Sequence, residues 1–319
     1  MACEQPRKIV NRRYKDMRKV DIIDYAKEHY GMAWPPDYII EVPCGYCHSC
    51  QKSANNQYRI RLLHEIRCYP PGSCLFVTLT FDDENLIKFK SDYNKAVRLF
   101  LDRLRKNYGH QIRHWFIGEF GTLHGRPHYH GILFDVPDVF KTAFDVVHPG
   151  RHPLLAEGWK YGFVFVGYVS DATCGYITKY LTKSINGKNR RPRVISSKGI
   201  GASYLDSDEA KMHRLPGNFQ PFMVLNGFKQ AMPRYYYNKI FTDFDKENMI
   251  LERYLNPPLF FDWKGVRYSD DVDFAVARNA TFEVNKSIGL TPLFKPPTLS
   301  VFSSFDRFKK TVSEIKEFE

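Results

Sequence analysis

No stretch of the 319 residues runs to about 18 consecutive apolar side chains, so nothing in the chain reads as a transmembrane helix. The opening Met1-Ala2-Cys3-Glu4-Gln5-Pro6-Arg7-Lys8 lacks the apolar core of a secretory signal. Cysteine is sparse and odd in number, seven in all, which argues against a disulfide framework and for reduced thiols or metal ligands. The pattern G-x-x-x-x-G-K-[ST] occurs nowhere, so no phosphate-cradling loop of the nucleotide-driven motors is present. Internal repeats and low-complexity tracts are missing as well. Together these absences lead us to expect an intracellular globular protein with no membrane partner. Acidic residues are also short, 35 against 47 Lys and Arg, leaving a net charge of +12. An anionic partner, nucleic acid before membrane surface, follows from that balance.

What is present is an ordinary globular mixture, 43% hydrophobic and 26% charged, unusually rich in aromatics with 25 Phe, 20 Tyr and 4 Trp. Ser73–Phe81 reads as a buried strand, rich in β-branched and aromatic residues. Ser91–Tyr108 carries Val97, Phe100, Leu101, Leu104 and Tyr108 at helical spacing, and Gly109 stops it. A hairpin follows over Ile112–Glu119 and Pro127–Phe134, then a short helix from Pro137, a loop over His148–Gly158 and a strand over Tyr161–Val169. Further helices are expected over Gln51–Ile66, Tyr236–Tyr254 and Phe305–Phe318. Strands interleaved with helices around a hairpin predict an α+β domain with a mainly antiparallel sheet. Along the chain we expect a basic, Cys-rich N-terminal segment over 1–70, a core over 71–205 and a C-terminal extension over 206–319.

Three groups of residues carry chemistry. In the hairpin, His128 and His130 alternate with Tyr129 and so share one sheet face, and the turn brings Glu119 opposite His128. Two imidazoles and a carboxylate suit a divalent metal, and three protein ligands leave coordination positions open for substrate. An ordinary polar strand is the plain alternative. His124 and Arg126 lie in the turn, where contact with a ligand and simple exposure are equally open. Near the N-terminus, Cys44, Cys47 and Cys50 form a C-x2-C-x2-C cluster with soft-ligand spacing for zinc. Tetrahedral closure needs a fourth group, and Cys3, His48, His64 and Cys68 are the candidates.

The third group is Asp171–Ser184, a helix entered from a strand, with Tyr176 and Tyr180 one turn apart on one face. Lys179 and Lys183 each follow a tyrosine by three positions. No acidic residue occurs from Ala172 to Leu205, while seven Lys and Arg do, a block suited to a phosphate backbone. A tyrosine hydroxyl can attack a phosphodiester and hold the phosphoryl group covalently. With a pKa near 10 it is a weak nucleophile at neutral pH. A divalent cation polarising the phosphate would compensate.

This order of motifs resembles the HUH endonucleases that start rolling-circle replication. Thr78–Phe81 is similar to their first motif, His128-Tyr129-His130 with Glu119 to their second, and Tyr176–Lys179 overlapping Tyr180–Lys183 to their third. The likeness extends to the replication initiators of gokushovirus-type Microviridae, small single-stranded DNA phages. It does so through Cys3 with Cys44, Cys47 and Cys50, through Gly199-Ile200-Gly201-x-x-Tyr204-Leu205 and through Pro233-Arg234-Tyr235-Tyr236. The resemblance implies a ferredoxin/RRM-like fold with Glu119, His128 and His130 binding Mg²⁺ or Mn²⁺. It also implies Tyr176 and Tyr180 as nucleophiles, Lys179 and Lys183 at the phosphate, and a structural Zn²⁺ on the cysteines. The implied substrate is single-stranded origin DNA in the host bacterial cytoplasm, with helicase and DNA polymerase supplied by the host. A plasmid initiator, transposase or relaxase would share this chemistry. A non-catalytic, zinc-containing binder of single strands and a hydrolase using the His pair with water are the alternatives of other kinds.

Overall fold

The computed structural model describes residues 3–109, 112–121, 125–142, 152–182, 194–215, 220–225 and 227–290. The chain divides into two compact units, Lys52–Ile240 and a second made of Met1–Gln51 with Phe241–Glu319. These units do not coincide with the division at 70/71 and 205/206 expected from chain order. Residues near both ends of the chain share one unit, a long-range association that local composition does not signal.

The Lys52–Ile240 unit is built on a five-stranded antiparallel sheet. Its strands are β1 (Leu75–Phe81), β2 (Arg113–Phe120), β3 (Pro127–Phe134), β4 (Gly162–Tyr168) and β5 (Val194–Ser196), in spatial order β4-β1-β3-β2-β5. With helices packed on the sheet, this is the α+β architecture expected from the sequence. Strand alternation divides the side chains between two faces. One face carries Leu75, Val77, Leu79, Phe81, Tyr129, Leu133 and Val166, and packs on the Tyr93–Tyr108 helix through Ala96, Val97, Phe100, Leu101 and Leu104. Gly131 is required on that face, because a Cβ there would lie 2.2 Å from the Phe116 ring. The opposite face carries Phe76, Trp115, Ile117, Ile132 and Phe134, covered by Leu62, Cys174, Ile177 and Tyr180.

The β2–β3 pairing matches the expected hairpin, with Glu119 directly across from His128 and Phe120 from Pro127. Gly121 N–H donates to Arg126 O and Gly125 N–H to Gly121 O, closing the turn, with Gly125 in the left-handed region at φ +61°. The segment expected as a loop over His148–Gly158 instead contains a helix, Pro153–Gly158. Pro153 sits in its first turn, where the missing N–H costs nothing, and the His152 side chain caps Leu155 N–H. The helix expected over Tyr236–Tyr254 is two, Arg234–Ile240 and Asp243–Leu255, separated where Thr242 forms a capping box with Asp245. Residues 305–318, where a helix was also expected, lie outside the described residues.

In the other unit, strands Arg7–Val10 and Ile39–Val42 pair antiparallel, and Phe261–Trp263 pairs with Val266–Tyr268. Cys44, Cys47 and Phe282 form a small buried cluster, with Cys3, Tyr46 and Cys50 packed against it. Phe282 belongs to the Asp271–Ser287 helix, whose N-terminus Asp270 caps.

Candidate active site

Sheet register and one helix assemble the site. β3 places His128 opposite Thr80 and His130 opposite Thr78 on one side, and opposite Glu119 and Ile117 on the other. The His130 ring is held at both nitrogens, with Nδ1 3.0 Å from Thr78 Oγ1 and Nε2 3.1 Å from Glu119 Oε2. His128 places Nδ1 2.7 Å from Arg126 O. The two imidazoles lie parallel, 6.5 Å between centroids. Burial pulls the His130 pKa below the ordinary imidazole value, even though the Glu119 carboxylate pulls it up. His130 is therefore a neutral ring near pH 7, the form in which an imidazole binds metal.

The tyrosine helix reaches this spot from the β4 end. Ser170 and Thr173 make a reciprocal capping box at its start, and Asp171 receives Arg59 Nε at 2.6 Å. The α-helix runs over Asp171–Thr178 and tightens into a 3₁₀ turn over Lys179–Thr182. Tyr180 stacks on His130 at 4.8 Å with an 11° tilt, and Tyr176 meets the same imidazole edge-on at 5.5 Å. The two tyrosine rings are 5.3 Å apart, and Lys179 Nζ lies 4.0 Å from the Tyr176 ring centroid and 5.1 Å from that of Tyr180. Their environments differ: Tyr180 is 5% exposed and Tyr176 41%. Burial, above all, raises the Tyr180 pKa, followed by its hydrogen bond to Tyr176 and the nearby Glu119 charge.

The structure therefore gathers Glu119, His128, His130, Tyr176, Lys179 and Tyr180 at one end of the sheet. Lys183 and His124 lie outside the described residues. Arg126 does not project freely: it bonds Phe81 O at 2.7 Å and pairs with Asp83. Among the described residues, only Cys3, Cys44, Cys47 and Cys50 bring all their ligand atoms within 4.8 Å of one another. The set that includes His128 is wider than this, whereas the Glu119–His130 pair is close enough to share an ion. Cis ligands of an octahedral ion at 2.0–2.1 Å stand roughly 3.0 Å apart. The observed 3.1 Å between Nε2 and Oε2 fits that spacing.

Two features of the site were not read from the sequence. Thr78 orients His130 through Nδ1, and the only signal was its place two residues before Thr80 on the same strand face. Phe163 and Phe165 project from β4 on this same face, opposite Thr80 and Thr78, and are 73% and 51% exposed. Their alternation with Val164 and Val166 marks a half-buried strand, yet the outward members are aromatic rather than polar. The downstream motifs, by contrast, are structural. Gly201 N–H donates to Glu65, Tyr236 donates to Gly201 O, and the His64 ring stacks on Tyr204 at 4.4 Å.

Comparison with known proteins returns matches that span both halves of this site. The chain is 27% identical over 220 residues to the replication-associated protein ORF4 of Chlamydia phage 1, covering 62% of this chain and 53% of that protein. It is 27% identical over 282 residues to the replication-associated protein ORF2 of Spiroplasma virus 4, covering 77% and 85%. With the replication-associated protein VP4 of Bdellovibrio phage phiMH2K the identity is 25% over 213 residues, covering 61% and 65%. The chain thus spans about half the length of the Chlamydia phage 1 protein and just under two thirds of the Bdellovibrio phage protein. No solved structure matches. Residues 74–185, which contain the His128–His130 hairpin and the tyrosine helix alike, match the family of the replication-associated protein ORF2.

Proposed function

We propose that this chain is a replication initiator that nicks and rejoins single-stranded origin DNA of a small phage through a 5′-phosphotyrosine. The observation that carries this reading is the contact of both tyrosine rings with His130 inside the Glu119–His128–His130 group. A His pair serving a hydrolase would have no use for two tyrosines packed on it.

Tyr176 makes the first attack, because it is the exposed member of the pair. Its hydroxyl oxygen bonds to phosphorus while the bond from phosphorus to O3′ breaks. O3′ leaves with the electron pair and takes up a proton, becoming the primer end for a polymerase. The 5′-phosphate stays esterified to the tyrosine, so a later 3′-hydroxyl can displace it and reseal the strand without ATP. Tyr180 provides the nucleophile for the second cut that ends a round. Lys179, within reach of both rings, neutralises phosphate charge beside either oxygen. Glu119 and His130, joined by His128, would hold Mg²⁺ or Mn²⁺, which when bound polarises the scissile phosphate. Thr78 and Arg126 O, by engaging the two Nδ1 atoms, leave Nε2 of each imidazole to face the ion. The DNA strand continues across the open sheet face, where Phe163 and Phe165 supply stacking surfaces for bases.

The test is incubation of the full chain with a labelled single strand carrying the origin and Mg²⁺ or Mn²⁺, followed by denaturing electrophoresis. A protein–DNA adduct is expected, lost with EDTA, with His128→Ala, or with Tyr176→Phe and Tyr180→Phe together. An adduct that persists in the double tyrosine variant refutes the nucleophiles. Nicking without an adduct points to the hydrolase, and binding without nicking to the non-catalytic protein.

A further inference from the structure

The strongest cluster of ligand atoms outside the active site lies in the other unit, on side chains that the strand-transfer chemistry does not use. The Sγ atoms of Cys3, Cys44, Cys47 and Cys50 lie within 4.8 Å of one another, and none of the four is disulfide-bonded. We infer that these four cysteines hold one tetrahedral zinc ion that pins the N-terminus to the Cys44–Cys50 turn.

Three observations carry the inference. The first is size. Four sulfurs at the Zn–S distance of about 2.3 Å form a tetrahedron whose edges are about 3.8 Å. The Cys3–Cys47 and Cys44–Cys50 separations are 3.8 and 3.9 Å. Those are opposite edges of the same tetrahedron, so one ion of that size fits between them. An iron–sulfur cluster would need the thiolates spread around several metal atoms, so the spacing selects a single ion.

The second is the protein around the thiolates. Cys44 N–H points at Cys3 Sγ and Cys47 N–H at Cys44 Sγ, each at 3.3 Å. Four thiolates with Zn²⁺ leave two net negative charges, and backbone donors aimed at sulfur offset them. Cys50 sits in the first turn of the His48–Ile66 helix, whose N-terminal dipole favours negative charge as well.

The third is how the fourth ligand is delivered. Cys3 is far from the turn in sequence, yet residue 4 is anchored beside it: Glu4 Oε1 accepts from Ser49 N–H at 3.0 Å, Ser49 Oγ at 2.8 Å and Asn285 Nδ2 at 3.0 Å. Two of the other candidates for the fourth ligand are occupied elsewhere. His64 Nδ1 is 3.0 Å from the Tyr236 hydroxyl, and Cys68 Sγ is 2.8 Å from Ser203 Oγ. Zinc would thus close a loop of more than forty residues and tie it to the Asp271–Ser287 helix through Phe282 and Asn285.

The experiment is elemental analysis of the full chain, purified under reducing conditions without added metal and then dialysed against EDTA. About one zinc per chain is expected to remain, since a four-thiolate site releases zinc slowly while a Glu–His site gives up Mg²⁺ or Mn²⁺ at once. Replacement by Co²⁺ should produce the thiolate charge-transfer and tetrahedral d–d bands of a four-sulfur site. Cys3→Ser should lose the metal or shift those bands, whereas Cys68→Ser and Cys174→Ser should retain both zinc and spectrum. Because Cys3→Ser could simply misfold, the cobalt spectrum of the unaltered chain is the deciding measurement. Absence of stoichiometric zinc together with absence of the four-sulfur cobalt spectrum overturns the inference, as does the finding that the four thiols pair as disulfides under these conditions.

Discussion

If bases stack on the open sheet face, truncating Phe163 and Phe165 to Ala should weaken single-strand binding with little damage to the fold. Complete burial of a Phe side chain is worth about 1.5–3 kcal/mol. Phe163 is already 73% exposed and Phe165 51%, so folding buries only about a quarter of one ring and half of the other. The stability cost scales down to about 0.4–0.8 kcal/mol for Phe163→Ala and about 0.7–1.5 kcal/mol for Phe165→Ala. Base–aromatic stacking contributes about 1–3 kcal/mol per base, corresponding to a loss of roughly 5- to 150-fold in affinity for each ring. Binding should therefore suffer more than stability does. Fluorescence anisotropy with a labelled origin strand, in EDTA to prevent nicking, measures the first quantity, and thermal unfolding measures the second. A salt titration adds an internal control. Stacking is not a phosphate contact, so both variants should shift log Kd while leaving its slope against log salt unchanged. An affinity within twofold of the parent in the double variant, with the fold intact, would refute the placement of DNA on this face.

The two tyrosines should separate cleanly in the adduct assay. Tyr176→Phe should abolish the first covalent complex, while Tyr180→Phe should still form it and fail at the second cleavage; the reverse pattern would exchange their roles. Glu119→Gln keeps the shape but removes a charged ligand from beside His130 Nε2, so adduct yield should fall sharply and recover in part at high Mn²⁺. Thr78→Val removes the partner of His130 Nδ1, and a Mn²⁺ titration of adduct formation should show an affinity lower by about 10- to 100-fold. Burial lowers the His64 pKa to about 4 from its ordinary value of 6.5. The folded state then binds fewer protons than the unfolded one, so this contribution to stability is complete above pH 6.5 and is lost as pH falls toward 4. Its full size is on the order of 3 kcal/mol, and His64→Gln should flatten the acid limb of the stability curve between those values. An unchanged limb would mean that other groups dominate there.

Local sequence determined much of the scaffold, because the forces involved are local. The β-branched run of β1, the apolar stripe of the Tyr93–Tyr108 helix and the glycine-punctuated turn each specify an element through neighbours a few residues away. The same period-2 rule placed His128 and His130 on one face and Glu119 opposite His128 before any coordinates were considered. Where competing local signals were finely balanced, expectation and structure parted: Pro153 suggested a loop but begins a helix, and Thr242 divides what looked continuous. Tertiary structure alone decided the rest. The exposure difference between Tyr176 and Tyr180 arises because the latter faces His130 and the core while the former faces out, although both lie on the same helix and carry the same chemistry. The aromatic strip of β4 acquires meaning only from its register with Thr78 and Thr80. Cys3 joins Cys44, Cys47 and Cys50 only because the chain folds back across forty residues, a pairing that spacing along the sequence cannot encode. Residue type determined which chemistries the chain could perform, and long-range packing determined which of those groups meet.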